Sequence, residues 1–141
     1  MGTRSGKSFA GGMDVNVKEG MRILVGDDDR VNRLVIQGML KRLGYDCVVV
    51  DSGKAVIDAV KSDPFDYIFL DVQFPDMDGF EVAEHLETLT DLDPKPKIAF
   101  VSGHDAGDFR EKLSELGIEF FITKPVTVEA LRAVIDSASQ P

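Results

Sequence analysis

Four short stretches hold the side chains best able to handle a charged group. Asp27 and Asp28 lie in Gly26-Asp-Asp-Asp29, directly after the apolar run Met21-Arg-Ile-Leu-Val25. Asp71 ends Tyr67-Ile-Phe-Leu70 and opens Asp71-Val-Gln-Phe-Pro-Asp-Met-Asp-Gly79. Ser102 closes Ile98-Ala-Phe-Val101, and Lys124-Pro125 follows Ile118 to Thr123. Each polar group comes at the C-terminal end of an apolar run, where an open α/β sheet presents its reactive groups. Three converging carboxylates repel one another, and a hard divalent cation resolves the conflict. Mg²⁺ takes oxygen ligands and keeps positions for water and phosphate oxygens; Mn²⁺ can substitute. Lys124 offers a point positive charge to a phosphoryl oxygen, and Ser102 offers a hydroxyl donor. With its charge cancelled, the Asp71 carboxylate can attack phosphorus and form an aspartyl phosphate.

Taken singly, these signals are weak. Acids after strands are ordinary loop and capping residues, and Ser102 or Lys-Pro alone says little. Their weight lies in all four falling at the ends of successive strands, and in the length of the Asp71–Gly79 stretch.

The elements that must position them follow from periodicity. Strands are expected at Met21–Val25, Cys47–Val50, Phe65–Asp71, Ile98–Ser102 and Ile118–Thr123. Helices are expected at about Val31–Leu43, Gly53–Lys61, Phe80–Leu89 and Ala106–Leu116, with a last one capped by Thr127. The first carries a polar stripe, Arg30, Arg33, Gln37 and Lys41, with apolar residues on its other side. Gly44 and Gly117 stop their helices. The last has Val128, Leu131, Val134 and Ile135 on its inner face. Five strands alternating with five helices call for a doubly wound parallel sheet with right-handed crossovers. Strand order 2-1-3-4-5 would bring the ends of strands one, three, four and five together. Asp76 and Asp78 are read as structural, shaping the turn and starting the next helix.

The 141 residues suit one domain with a real core. Net charge is −9, and residues 1–20 contribute three basic and two acidic residues, so the acidity lies in the remainder. That balance argues against direct nucleic-acid binding and suits cations or basic partners. The single cysteine, Cys47, in a strand expected to be buried, reads as core packing. No apolar run approaches a membrane span, so no membrane insertion is expected. No signal-peptide core is present, and the cytoplasm is the expected location. Residues 1–20 read as a flexible leader or linker. Their Gly2-Thr-Arg-Ser-Gly-Lys-Ser8 has three residues between its glycines where a P-loop has four, and no strand precedes it.

On the acidic pair Asp27-Asp28, the Asp71–Gly79 stretch, Ser102 and Lys124-Pro125, the chain resembles a response-regulator receiver domain of two-component phosphorelays. The domain covers residues 21–141. Asp29-Arg-Val-Asn32 and Asp71-Val-Gln73 are worded most like the receivers of hybrid histidine kinases. The resemblance implies a flavodoxin-like (βα)5 fold with Asp71 as the phosphorylated aspartate. Asp28 would be a direct Mg²⁺ ligand, Asp27 one acting largely through water, and the Gln73 main-chain carbonyl the third protein ligand. Lys124 resembles the phosphate-binding lysine, Ser102 the switch hydroxyl, and Phe121 the aromatic switch. Gln73 and His104, two residues beyond acceptor and hydroxyl, would flank the path of attacking water and tune dephosphorylation. The implied donor is a histidine kinase or a histidine phosphotransfer domain. The face of helix four, strand five and helix five would change on phosphorylation and could mediate a phosphorylation-dependent dimer.

The rival reading is a pseudo-receiver serving only as a protein-interaction module; intact Asp28, Asp71, Ser102 and Lys124 count against it. A haloacid-dehalogenase-type phosphatase would need an acid where Gln73 stands. A flavin module would want a Ser/Thr-rich loop where Asp27–Asp29 stand. With only its own aspartate phosphorylation and slow dephosphorylation expected, and no output segment after the last helix, the chain reads as a stand-alone receiver or a piece of a longer protein.

Overall fold

Short apolar runs alternate with amphipathic segments along the chain, and each pair forms a β–α unit. The structure is a computed structural model and describes residues 21–93 and 95–138. The leader expected at residues 1–20 lies outside the described residues. The strands are β1 (Ile23–Gly26), β2 (Cys47–Val50), β3 (Tyr67–Asp71), β4 (Lys97–Ser102) and β5 (Phe120–Thr123). The helices are α1 (Arg30–Arg42), α2 (Gly53–Ser62), α3 (Gly79–Glu87), α4 (Arg110–Leu116) and α5 (Val128–Ala138). The sheet is parallel throughout, in the order β2-β1-β3-β4-β5.

The central strands read as continuous apolar runs because both faces of the sheet are covered. Ile23, Val25, Tyr67, Phe69, Ala99 and Val101 pack under α1 and α5, against Ile36, Leu40, Leu131 and Ile135. Leu24, Ile68, Leu70 and Phe100 pack on the other face against Val56, Val60, Phe80 and Leu86 of α2 and α3. Helix starts are built by short polar side chains, which satisfy free amides of the first turn. Asp29 caps α1, Ser52 caps α2, and Asp78 caps α3 in a reciprocal box with Glu81. The Thr127 hydroxyl accepts from the Ala130 amide at the start of α5 (3.1 Å). Gly44 and Gly117 follow α1 and α4 with φ of 96° and 68°.

Several boundaries differ from expectation, each for a local reason. Phe65 and Asp66 precede β3; Asp66 is occupied with Arg22, whose amide donates to its carboxylate (2.8 Å). Ile118 does not pair in β5, because its amide closes the end of α4 on the Leu113 carbonyl. The segment expected as one helix from Ala106 opens as a 3₁₀ turn, Ala106–Phe109, without a side-chain cap. β2 is an edge strand, so it is not fully buried: Cys47 is half-buried and Val48 is exposed. Cys47 still packs against the core, and burial, with Asp46 nearby, pushes its thiol up to about 11. α1 departs most. Only Ile36 and Leu40 are buried, while Val31, Leu34 and Val35 are 66%, 55% and 44% exposed. One apolar stripe, Ile36 and Leu40, turns toward the core, and a second, Val31, Leu34 and Val35, lies on the other side of the helix and faces solvent.

Candidate functional site

The register of the sheet brings the four chemical stretches to one edge. Gly26 pairs with Leu70, Asp71 with Val101, and Ser102 with Thr123. The residues that follow, Asp27 and Lys124, therefore emerge beside Asp71 and Ser102. Asp27, Asp71 and Ser102 are buried, while Asp28 is exposed. The Lys124–Pro125 peptide is cis, and the Lys124 amide donates to the Ser102 carbonyl (2.7 Å), which ties the β5 end to the β4 end.

Lys124 Nζ lies 3.3 Å from Asp71 Oδ2 and 3.5 Å from Asp27 Oδ2. The second contact is ionic and too long for a good hydrogen bond, and Asp27 Oδ2 is buried without a hydrogen-bond partner. Asp27 Oδ1 accepts from the Asp29 amide (2.9 Å), and Asp71 Oδ1 accepts from the Gln73 amide (3.1 Å). Burial raises the Asp27 pKa. The Asp29 amide opposes this, Asp71 adds to it by repulsion, and Lys124 offsets part of it. Burial pulls the Lys124 amine down, but the carboxylates of Asp71 and Asp27 outweigh it and its pKa is raised. One lysine thus serves two crowded carboxylates, and negative charge remains in excess.

That arrangement passes a test for a hard cation. One oxygen from each of Asp27, Asp28 and Asp71 lies within 4.8 Å of the others. The donors are all carboxylate oxygens, and Asp27 carries a buried oxygen, Oδ2, that lacks a hydrogen-bond partner. Oxygen-only donors suit Mg²⁺ or Mn²⁺.

The remaining expected residues are Ser102, His104, Gln73 and Phe121. Ser102 Oγ accepts from the His104 amide (3.0 Å). His104 and Gln73 both line a cavity of about 470 Å³, with Val72, Asp78, Phe80 and Phe109. The His104 ring meets the edge of Phe109 at 6.1 Å between centroids, and Phe109 lies 6.0 Å from Phe121. Phe121 is half-buried, on the side of the sheet that carries α2 and α3.

Two residues at the site escaped sequence reading. Arg33, taken as part of a polar stripe, donates to the Asp27 carbonyl (2.8 Å) and holds the acidic turn. Its position one helical turn beyond Asp29 was the available signal. Asp76 does not start the following helix. It accepts from the amides of Gly53 and Lys54 at the start of α2 (3.0 and 2.9 Å). Asp78 alone starts α3, as expected.

The family model for the response regulator receiver domain matches residues 23–136. The sensor histidine kinase GacS of Pseudomonas protegens is 32% identical over 117 residues, which is 81% of this chain and 13% of that protein. The signal transduction histidine-protein kinase BarA of Escherichia coli K12 is 31% identical over 118 residues, 84% of this chain and 13% of that protein. The chain therefore spans about 13% of the length of these curated relatives. Among solved structures, a CheY-like response regulator receiver domain from Methylobacillus flagellatus superposes with a TM-score of 0.76 at 25% identity. It covers 83% of this chain and 97% of its own. Among the described residues, no helix is long and apolar enough to cross a membrane.

Proposed function

This chain belongs to the response regulator receiver domain family, and on that premise we propose that it takes a phosphoryl group from a phosphohistidine donor onto Asp71. The observation that carries the reading is Asp71 itself, a buried carboxylate at a strand end, contacted by Lys124 and sharing a three-acid cluster with Asp27 and Asp28. A bound Mg²⁺, held by these acids and the Gln73 main-chain carbonyl, would neutralise charge at the transferring group.

The chain's own residues do the rest. An Asp71 oxygen attacks phosphorus as the bond from phosphorus to the donor imidazole nitrogen breaks, and the imidazole leaves with its electron pair. Lys124 moves from pairing the carboxylate to pairing a phosphoryl oxygen. Ser102 turns its hydroxyl to another, giving up the His104 amide, and Phe121 follows into the space this opens. The α4–β5–α5 face then differs between two states only as far as these contacts differ, and a dimer through that face would respond to the same difference.

The test is intact mass after incubation with Mg²⁺ and acetyl phosphate. One added phosphoryl group is expected, and none when Mg²⁺ is chelated. No gain in the wild type, even with histidine donors, would leave the pseudo-receiver reading standing.

The exposed stripe Val31, Leu34 and Val35 begins two residues after the acidic turn's Asp29, which makes it the docking face this reading assigns to a phosphohistidine donor. Leu34→Glu is expected to slow transfer from such a donor about ten-fold through lost apolar contact and added charge, and to leave uptake from acetyl phosphate unchanged. Equal slowing of both routes would place the defect in the site and not in docking.

His104 and Gln73 line one cavity, and the family resemblance sets both beside the path of attacking water. His104→Ala and Gln73→Ala are each expected to change the decay rate of the phosphorylated form by a few-fold, with no loss of uptake. Decay at the wild-type rate in both variants would remove them from this role.

A further inference from the structure

The segment Val72–Asp78 carries Gln73, and it is held at its base and at its tip. At its base, the Gly79 amide donates to the Val72 carbonyl. At its tip, the Asp76 carboxylate receives the first two amides of a helix that is not its own, Gly53 and Lys54 of α2 (3.0 and 2.9 Å). These amides, Lys54 first, hold the Asp76 carboxyl below its usual range. The neighbouring Met77 seals the same joint. A Cβ on Gly53 would come within 2.5 Å of Met77 Cγ and 3.0 Å of Val82 Cγ2, so only glycine lets the loop seat this closely.

Within its own segment, α2 has Ser52 as acceptor for the Ala55 amide (3.1 Å), so Asp76, which takes the two preceding amides, is a second cap brought in from another part of the chain. The second cap therefore acts on the loop. Gln73, an exposed residue, sits between the two anchors, and its own amide donates to Asp71 Oδ1 (3.1 Å).

We propose that Asp76 is a positioning residue for the metal site: by clamping the loop tip to the α2 N-terminus, it presets the main-chain carbonyl of Gln73 toward the cation held by Asp27, Asp28 and Asp71. This rests on the Mg²⁺ reading above and names the part of the chain that prepares it. A backbone oxygen carries no charge to draw it to the ion, so its contribution depends on being placed beforehand. Groups that orient a metal ligand change affinity about ten-fold or more when removed.

The test is Mg²⁺ titration by calorimetry on the wild type, Asp76→Ala, Ser52→Ala and Asp28→Ala, with a thermal melt of each in chelator. Asp28→Ala is expected to lose binding. Asp76→Ala is expected to bind about ten-fold more weakly, and Ser52→Ala, which loses the other cap of the same helix, to melt lower and bind like the wild type. Wild-type affinity in Asp76→Ala overturns the inference. So does equal weakening in Ser52→Ala, since affinity would then merely follow the stability of α2. A wild type that binds no Mg²⁺ overturns the metal reading, and the inference with it.

Discussion

Asp71→Asn is expected to fold as the wild type does and to gain no phosphoryl mass from any donor. The substitution keeps the size of a buried side chain and keeps an oxygen to accept the Gln73 amide now received by Asp71 Oδ1. What it removes is the anionic nucleophile. A neutral amide oxygen does not displace a leaving group from phosphorus at a useful rate, so uptake should fall below about 1% of wild type. Stability is a balance of two changes. The 3.3 Å contact with Lys124 is lost, but so is the repulsion that helps raise the Asp27 pKa, and Lys124 remains 3.5 Å from Asp27. The net effect on unfolding should be small, because Lys124 keeps a carboxylate partner and one crowded charge is gone. Intact mass and a urea melt on the same preparation read both halves. Undiminished phosphoryl gain in Asp71→Asn would move the acceptor to another side chain, while a collapsed melt would leave the chemistry to Asp71→Glu, in which the carboxylate is kept but displaced.

The legibility of this site in the sequence depended on how local its signals were. Asp71 could be read because an apolar run buried on both faces has to end where its first charge appears. Parallel pairing then forces the ends of β1, β3, β4 and β5 to one edge, so Asp27, Ser102 and Lys124 needed no further information than strand order. Contacts between segments distant in the chain were not readable in this way. Asp76 looks like one more acid in a turn after a proline, and the amides it receives lie 23 and 22 residues earlier. Only the finished sheet sets α2 beside the β3–α3 loop. α1 shows a different limit. Periodicity reveals that Val31, Leu34, Val35, Ile36 and Leu40 are apolar, but not that the sheet has room for only one stripe of them. The start of β5 shows a third, where Ile118 is as strand-prone as Phe120 yet its amide is already committed to α4.

At Gly79 packing and chemistry meet closely, and Gly79→Ala is expected to be strongly damaging. A Cβ there would collide with the Asp71 main-chain oxygen and would stand 3.0 Å from both the Val72 Cα and the Phe100 ring. Two of these three neighbours are backbone at the end of β3, and they cannot rotate aside as a side chain tip could. Relief must come from shifting the strand end that carries the acceptor, or from swinging α3 away from its box between Asp78 and Glu81. Either movement also breaks the hydrogen bond that the Gly79 amide donates to the Val72 carbonyl. Overpacking of this kind costs about 3 kcal/mol, which for a domain of this size lowers Tm by roughly 10 °C. The molecules that remain folded should take up phosphate more slowly, because Asp71 no longer faces Lys124 as it does now. Gly38 supplies the control. It lies inside α1, exposed, with nothing within 4 Å of an added Cβ, and Gly38→Ala should stabilise by up to about 1 kcal/mol through helix propensity alone. Urea unfolding of the two variants should thus give opposite signs. A Gly79→Ala protein as stable and as active as the wild type would mean that the end of β3 can yield without consequence, and that the close seating of this glycine does not fix the acceptor.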